Sequence, residues 1–229
     1  MYVDPSGLAP KPPGGGRIPP PPPPSPFKDE DSDQMVVRWQ TITMVAALRD
    51  KYGDSSPRVS EEGIQAIKQM FEDIRSANIE LTPSFYDVFI QGLNKPVDAD
   101  ISSGYGLRDT SNLPAGATSN HKAFDYAVGS NTPIKAAGAG IVSSAGWDGG
   151  YGKRMEVAHG GNVYTSYSHN TSFAVNYRDV VNSGDTITYS GKTGLEGMGA
   201  HLHFEVFLKY GDENGNIQKL KVNPVAWLN

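Results

Sequence analysis

The stretch Gly199-Ala200-His201-Leu202-His203-Phe204-Glu205-Val206 reads as a β-strand with two unlike faces. Side chains alternate across a strand, so His201, His203 and Glu205 share one face and Leu202, Phe204 and Val206 the other. Imidazole is the commonest protein metal ligand and the usual general base near neutral pH. The pair therefore suits metal binding or proton transfer, with two structural histidines as the bland alternative. His121-Lys122-Ala123-Phe124-Asp125 adds a His and an Asp at i and i+4, a spacing that shares a face in a helix and in a strand alike. Phe124, Tyr126 and Val128 alternate with Ala123, Asp125 and Ala127, which favours a strand. A zinc site with three protein ligands and an open fourth position is the catalytic kind. His121, Asp125 and His203 would supply nitrogen, oxygen and nitrogen, leaving His201 and His169 to move protons.

Several stretches, in this order, resemble the LytM/lysostaphin-type zinc endopeptidases: Ser103-Gly104-Tyr105-Gly106-Leu107-Arg108, His121 with Asp125, Tyr167-Ser168-His169, and His201 to Val206. Thr132 to Val142 and Gly146 to Gly152 agree as well. The resemblance covers roughly Ile101 to Asn229. It implies a mainly antiparallel β domain, one Zn2+ per chain on His121, Asp125 and His203, and catalysis by His169 and His201. It also implies a zinc metalloendopeptidase acting on the peptide stems or bridges of peptidoglycan, with the division of labour between the two catalytic histidines left open. Two positions depart from the family pattern: Ala123 stands where Gly is usual and Ala200 where Pro is frequent. In the resembling family histidines do the proton work, so Glu205 reads as a support or a surface residue. His159, before Gly160-Gly161, reads as part of a hairpin.

The elements that must position these residues change character near residue 100. After Ile101, short strand-like runs (Gly140 to Ala145, Arg154 to Ala158, Asn162 to Ser168, Thr186 to Ser190, Leu202 to Leu208) are separated by glycine turns. Before it, residues 34–94 read as three helices. Met35, Trp39, Ile42, Met44, Val45 and Leu48 form the first stripe, and Gly53 stops that helix. Ser60 caps the second, whose stripe is Ile64, Ile67, Phe71 and Ile74. Thr82-Pro83 opens the third, which Asn94-Lys95-Pro96 ends. The fold class expected is α+β: residues 34–100 a small helical region, 101–229 the peptidase domain, and 1–33 a Pro/Gly-rich disordered linker containing Pro19 to Pro24.

Composition narrows the function further. Residues 1–100 carry 10 Lys/Arg against 15 Asp/Glu, and residues 101–229 carry 10 of each. Neither part has the basic balance of a nucleic-acid binder. No cysteine is present, so neither disulfides nor a thiolate zinc site is available. No apolar run approaches the ~20 residues of a membrane span, and no signal peptide is visible. Asp4-Pro5-Ser6-Gly7-Leu8 is good turn chemistry and resembles the motif that closes the core of RHS-repeat proteins. That resemblance implies a toxin cut free from an RHS shell. The toxin would act in the periplasm or cell wall of a target bacterium, with a cognate immunity protein as a further partner. Two other readings stand beside the enzyme: a metal-free LytM-like domain that regulates a hydrolase, and an adaptor whose active part is the helical segment.

Overall fold

The computed structural model describes residues 30–109, 111, 118–194 and 199–229. The RHS-like motif at Asp4 to Leu8 and the proline run lie outside the described residues. The chain forms two compact units, up to Glu80 and from Leu81 onward.

In the first unit, α1 (Glu30–Tyr52) pairs with α2 (Glu61–Ser76). Gly53 follows α1 with φ of 77°, the left-handed conformation that ends helices and that glycine adopts without a Cβ penalty. The Ser60 hydroxyl accepts from Gly63 N at 3.1 Å and caps α2, a bond worth about 1 kcal/mol. The stripe of α1 differs from the one expected. Val37, Thr41, Met44, Val45 and Leu48 are buried, whereas Met35 and Ile42 are exposed. Positions 37, 41, 44, 45 and 48 follow the 3.6-residue period more closely, and 35 and 42 lie off that face. Arg58 is wholly buried, and burial pulls its guanidinium down to about 10.

The second unit begins with α3 (Pro83–Gln91), capped by the Thr82 hydroxyl on Phe85 N. This helix was expected to pack with the other two and against the peptidase domain, and to run to Asn94. It ends instead at Gly92, φ 71°, and packs on the β-strands. Phe85 and Phe89 sit edge-on to Trp227 at 5.7 and 4.9 Å between ring centroids, and Leu93 bridges to Leu228. Gly161 makes this docking feasible: its φ is 55°, and a Cβ there would come within 2.4 Å of the Phe85 backbone. The compact units therefore part at Glu80 rather than at residue 100.

The strands follow in order: β1 (Ile101–Ser103), β2 (Gly106–Leu107), β3 (Asn120–His121), β4 (Phe124–Tyr126), β5 (Pro133–Lys135), β6 (Gly140–Trp147), β7 (Lys153–Gly160), β8 (Val163–Asn170), β9 (Ser172–Phe173), β10 (Val180–Val181), β11 (Thr186–Tyr189), β12 (Leu202–Gly211) and β13 (Ile217–Val222). The main sheet runs β1-β4-β12-β8-β7-β6-β10, with β13 also paired to β12, and every pairing is antiparallel. β12 is its centre: β8 lies along one edge, and β4 then β13 share the other. Leu202, Phe204, Val206 and Leu208 point into the core and are essentially inaccessible. Each such side chain contributes about 1.5–3 kcal/mol by burial. Tyr126 and Tyr167 flank Phe204 at ring distances of 6.3 and 5.5 Å and fix that strand against its neighbours. The opposite face of the strand is thereby held rigid, and it carries His203 and Glu205.

Candidate metal centre

Strand register brings the polar residues together. Across β4 and β12, His203 stands directly opposite Asp125; across β12 and β8 it stands opposite Ser168. Directly opposed residues in an antiparallel pair project to the same face with Cβ atoms about 5 Å apart. His121 and Asp125 do not share one continuous strand. His121 ends β3, paired with Gly106 of β2, and the chain breaks register at Lys122-Ala123 before β4. The break turns His121 inward while Ala123 is itself fully buried.

The donor atoms converge. Asp125 Oδ1 lies 2.8 Å from His203 Nδ1, Asp125 Oδ2 lies 3.2 Å from His121 Nε2, and the two ring nitrogens are 3.4 Å apart. One ligand atom from each residue falls within 4.8 Å of the others, the separation expected of a set that can hold a metal ion. The far nitrogens are already engaged. His121 Nδ1–H donates to Gly104 O at 2.8 Å, so Nε2 carries the lone pair. His203 Nε2–H donates to Glu205 Oε1 at 3.2 Å, so Nδ1 is free to act as a ligand. Among the described residues this is the group whose chemistry fits a divalent cation: two imidazole nitrogens and a carboxylate, held close by shared protons in the metal-free protein.

Electrostatics agree. Burial pushes the Asp125 carboxyl up, but hydrogen bonds and charge from His121 and His203 outweigh it and hold the group well below the usual carboxylate range. Arg108 adds a guanidinium 3.5 Å from Asp125 Oδ2. For His203, burial lowers the pKa, yet Asp125 and Glu205 together raise it.

Glu205 is no surface residue. It is fully buried, and its carboxylate receives Arg154 Nη2 at 2.6 Å, Ser166 Oγ at 3.0 Å and Lys221 Nζ at 2.6 Å as well as His203. Burial raises its pKa, and His203, Arg154 and Lys221 bring it well below the usual range. Lys221 also donates to the Tyr151 hydroxyl at 2.8 Å, and the Arg154 guanidinium lies 4.4 Å over the Tyr151 ring. Arg154, Lys221 and Tyr151 are scattered charged or aromatic positions that carried no signal in the sequence. Their role appears only when β7, β12 and β13 pair.

His169 and His201 lie side by side, ring centroids 4.6 Å apart, and His169 is 5.7 Å from His203. His169 Nδ1–H donates to Thr193 O at 2.8 Å and His201 Nδ1–H to Gly199 O at 2.9 Å. A carbonyl only accepts, so in the neutral rings Nδ1 carries the hydrogen and Nε2 the lone pair. His201 Nε2 is buried without a hydrogen bond among the described residues, 3.9 Å from Asp125 Oδ1. Burial lowers His169 to about 4, the carbonyl of Thr193 opposing. His169 also has φ of 63°, a strained conformation for a residue with a Cβ, which turns its ring back toward His201. Thr193 secures the bend: its N donates to His169 O, and its hydroxyl accepts from Lys153 N and donates to Asn170 O. Gly152 lets this loop approach, since a Cβ there would meet Thr193 backbone at 2.3 Å. His159 stands apart, bonded to Ala139 O and Thr165 Oγ1, as the hairpin expectation required.

Residues 119–220 match Peptidase family M23. The DD-carboxypeptidase/endopeptidase Mpg of Neisseria meningitidis is 34% identical over 106 residues, 46% of this chain and 22% of that protein. The glycyl-glycine endopeptidase ALE-1 of Staphylococcus capitis is 33% identical over 88 residues, 38% of this chain and 24% of that protein. A zinc-containing peptidase from Vibrio cholerae, known from a crystal structure, aligns with a TM-score of 0.48 at 26% identity over 58% of this chain and 39% of its own. This chain thus spans about a fifth of the length of the first of these curated relatives. Residues 119–220 thus resemble a peptidase M23 domain.

Proposed function

We propose that this protein is a zinc-dependent endopeptidase that cuts peptide stems or cross-links of peptidoglycan. The observation that carries the reading is the convergence of His121 Nε2, Asp125 and His203 Nδ1, beside two imidazoles whose Nδ1 atoms are held by backbone carbonyls. Those three residues would hold the ion. The chemistry that zinc supplies in such a donor set is polarisation of a scissile carbonyl and acidification of water to near neutrality.

The chain's own residues do the rest. His169 and His201 are the proton carriers: one takes the proton of the attacking water at Nε2, and the imidazolium so formed returns that proton to the leaving amine, while the second ring lies beside it. Their backbone-bonded Nδ1 atoms keep both rings in the tautomer that can accept. Glu205 fixes the tautomer of His203, and Arg108 steadies Asp125. The relatives named as a DD-carboxypeptidase/endopeptidase and a glycyl-glycine endopeptidase support peptidoglycan peptides as the substrate class. A metal-free regulatory role has less support, because all three ligand positions are filled.

The RHS-like motif at Asp4 to Leu8 supports delivery as the toxic end of an RHS protein, with the shell and an immunity protein as partners. Expression in a bacterial cytoplasm is then tolerated, while expression with an export signal lyses the cells. Equal toxicity in both compartments contradicts the cell-wall target. The enzymatic reading is tested by digesting purified sacculi and weighing the released muropeptides. New peptide termini that disappear with a chelator and return with zinc are expected; glycan cleavage, or no release by zinc-loaded protein, overturns it.

A further inference from the structure

The polar face of β12 continues past Glu205 into a second cluster. Glu156 of β7 accepts Lys209 Nζ at 2.8 Å and Lys219 Nζ at 2.6 Å, with Arg154 Nη2 at 3.4 Å. Arg154 also binds Asp148 Oδ2 at 2.9 Å. Lys209, Lys219, Arg154, Glu156, Asp148 and the exposed Trp147 line a cavity of about 380 Å³.

Three features mark this cavity as a binding site. Its charges do not cancel. Arg154, Lys209, Lys219 and Lys221 are met by Asp148, Glu156 and Glu205, four cations against three carboxylates in one linked network. Donors are also left over. Arg154 is 95% buried, and its Nε–H has no hydrogen-bond acceptor among the described residues. Each lysine ammonium has three N–H groups, and Lys209 and Lys219 each give one to Glu156. The cavity finally lies on the catalytic face. Glu156, Ser166 and Glu205 form one row across β7, β8 and β12, and His203 is two residues from Glu205. From strand spacings the Glu156 and His203 backbones are about 12 Å apart, a span of three to four residues of extended peptide.

We infer that this cavity binds a free carboxylate of the peptide substrate, three to four residues from the bond that is cut. The single excess positive charge suits a monoanion; a phosphate would bring more negative charge than the network leaves open. Trp147, two-thirds exposed at the rim, offers an apolar surface for the adjoining part of the peptide. The assignment rests on the endopeptidase reading for the identity of the ligand.

The test uses the zinc-loaded full chain and two cross-linked stem-peptide dimers, one with its carboxylates free and one with them amidated. Binding is followed by calorimetry and cleavage by mass analysis. The acid dimer is expected to bind about tenfold more tightly, the effect of one charge-assisted contact. Lys219→Gln and Lys209→Gln should each remove most of that preference. Equal binding of acid and amide, or full preference in both variants, overturns the carboxylate site. Cleavage of both dimers without preference refutes the site alone. Preference in binding without cleavage of either dimer supports the site and refutes the hydrolase reading.

Discussion

Asp125 and His203 face each other across β4 and β12 with 2.8 Å between Oδ1 and Nδ1, although 78 positions separate them in the chain. Their alignment is a matter of register. A slip of one residue in β12 would turn His203 into the core and Phe204 toward Asp125. The buried row Leu202, Phe204, Val206 and Leu208 forbids that slip, so the hydrophobic face of the strand is what aligns the polar one.

Glu205 should behave as a support of the metal site. Glu205→Gln keeps the shape but removes the charge that holds His203 Nε2–H and that Arg154 and Lys221 face. Zinc affinity is expected to fall about 10- to 100-fold, as for other changes behind a metal-bound His. Stability should fall by roughly 3 kcal/mol, because a buried ion network loses one partner. Chelator competition measures the first and denaturant unfolding of the metal-free protein the second. Unchanged zinc affinity would exclude the support.

Stability of the metal-free protein should depend on pH in a definite way. His159 and His169 are both lowered from 6.5 to about 4, chiefly by burial. Their folded forms resist protonation, so their contribution is complete above pH 6.5 and is lost as pH falls toward 4. Asp125 and Glu205 are depressed carboxylates, so their contribution is present above their ordinary values of 3.8 and 4.5 and is lost below them. His203 is raised, so its contribution is present below 6.5 and is lost as pH rises through its folded value. The maximum is therefore expected near neutrality. His159→Gln, outside the metal centre, should flatten the limb between pH 6.5 and 4 when denaturation midpoints are compared. An unchanged limb would assign it to other groups.

The helix α3 should prove part of the β unit. Phe85 is fully buried against Phe89 and Trp227, so Phe85→Ala is expected to cost about 3–5 kcal/mol. A fragment from Leu81 should unfold cooperatively, and one from Ile101 should be markedly less stable. Equal melting of the two fragments would detach α3 from the domain.

The candidate metal cluster was legible in part, because the alternation that puts His203 and Glu205 on one face and the ligand chemistry of His and Asp are local properties, whereas His121 and Asp125 lie on separate strands. His201, His203 and Glu205 could be put on one face, and Ser60, Thr82 and Gly53 marked helix ends, from residue types alone. What could not be read depends on contacts far apart in the chain. Arg154 and Lys221 meet Glu205, and Tyr151 meets those two, only through pairings of β7, β12 and β13. The allegiance of α3 turned on Trp227 and Gly161, which lie distant in sequence. The stripe of α1 was misjudged because large apolar residues at 35 and 42 outweighed a better-spaced set that included Thr41.

Metal content tests the central claim most directly. Metal analysis of the purified, zinc-supplied protein should find about one zinc per chain. It should find none in a folded His203→Ala variant and a full complement in His201→Ala and His169→Ala, whose turnover falls by about 10²-fold or more. A folded wild-type protein that takes up no zinc, or a His203→Ala variant that keeps its zinc while His201→Ala loses it, would contradict the assignment of ligands and proton carriers.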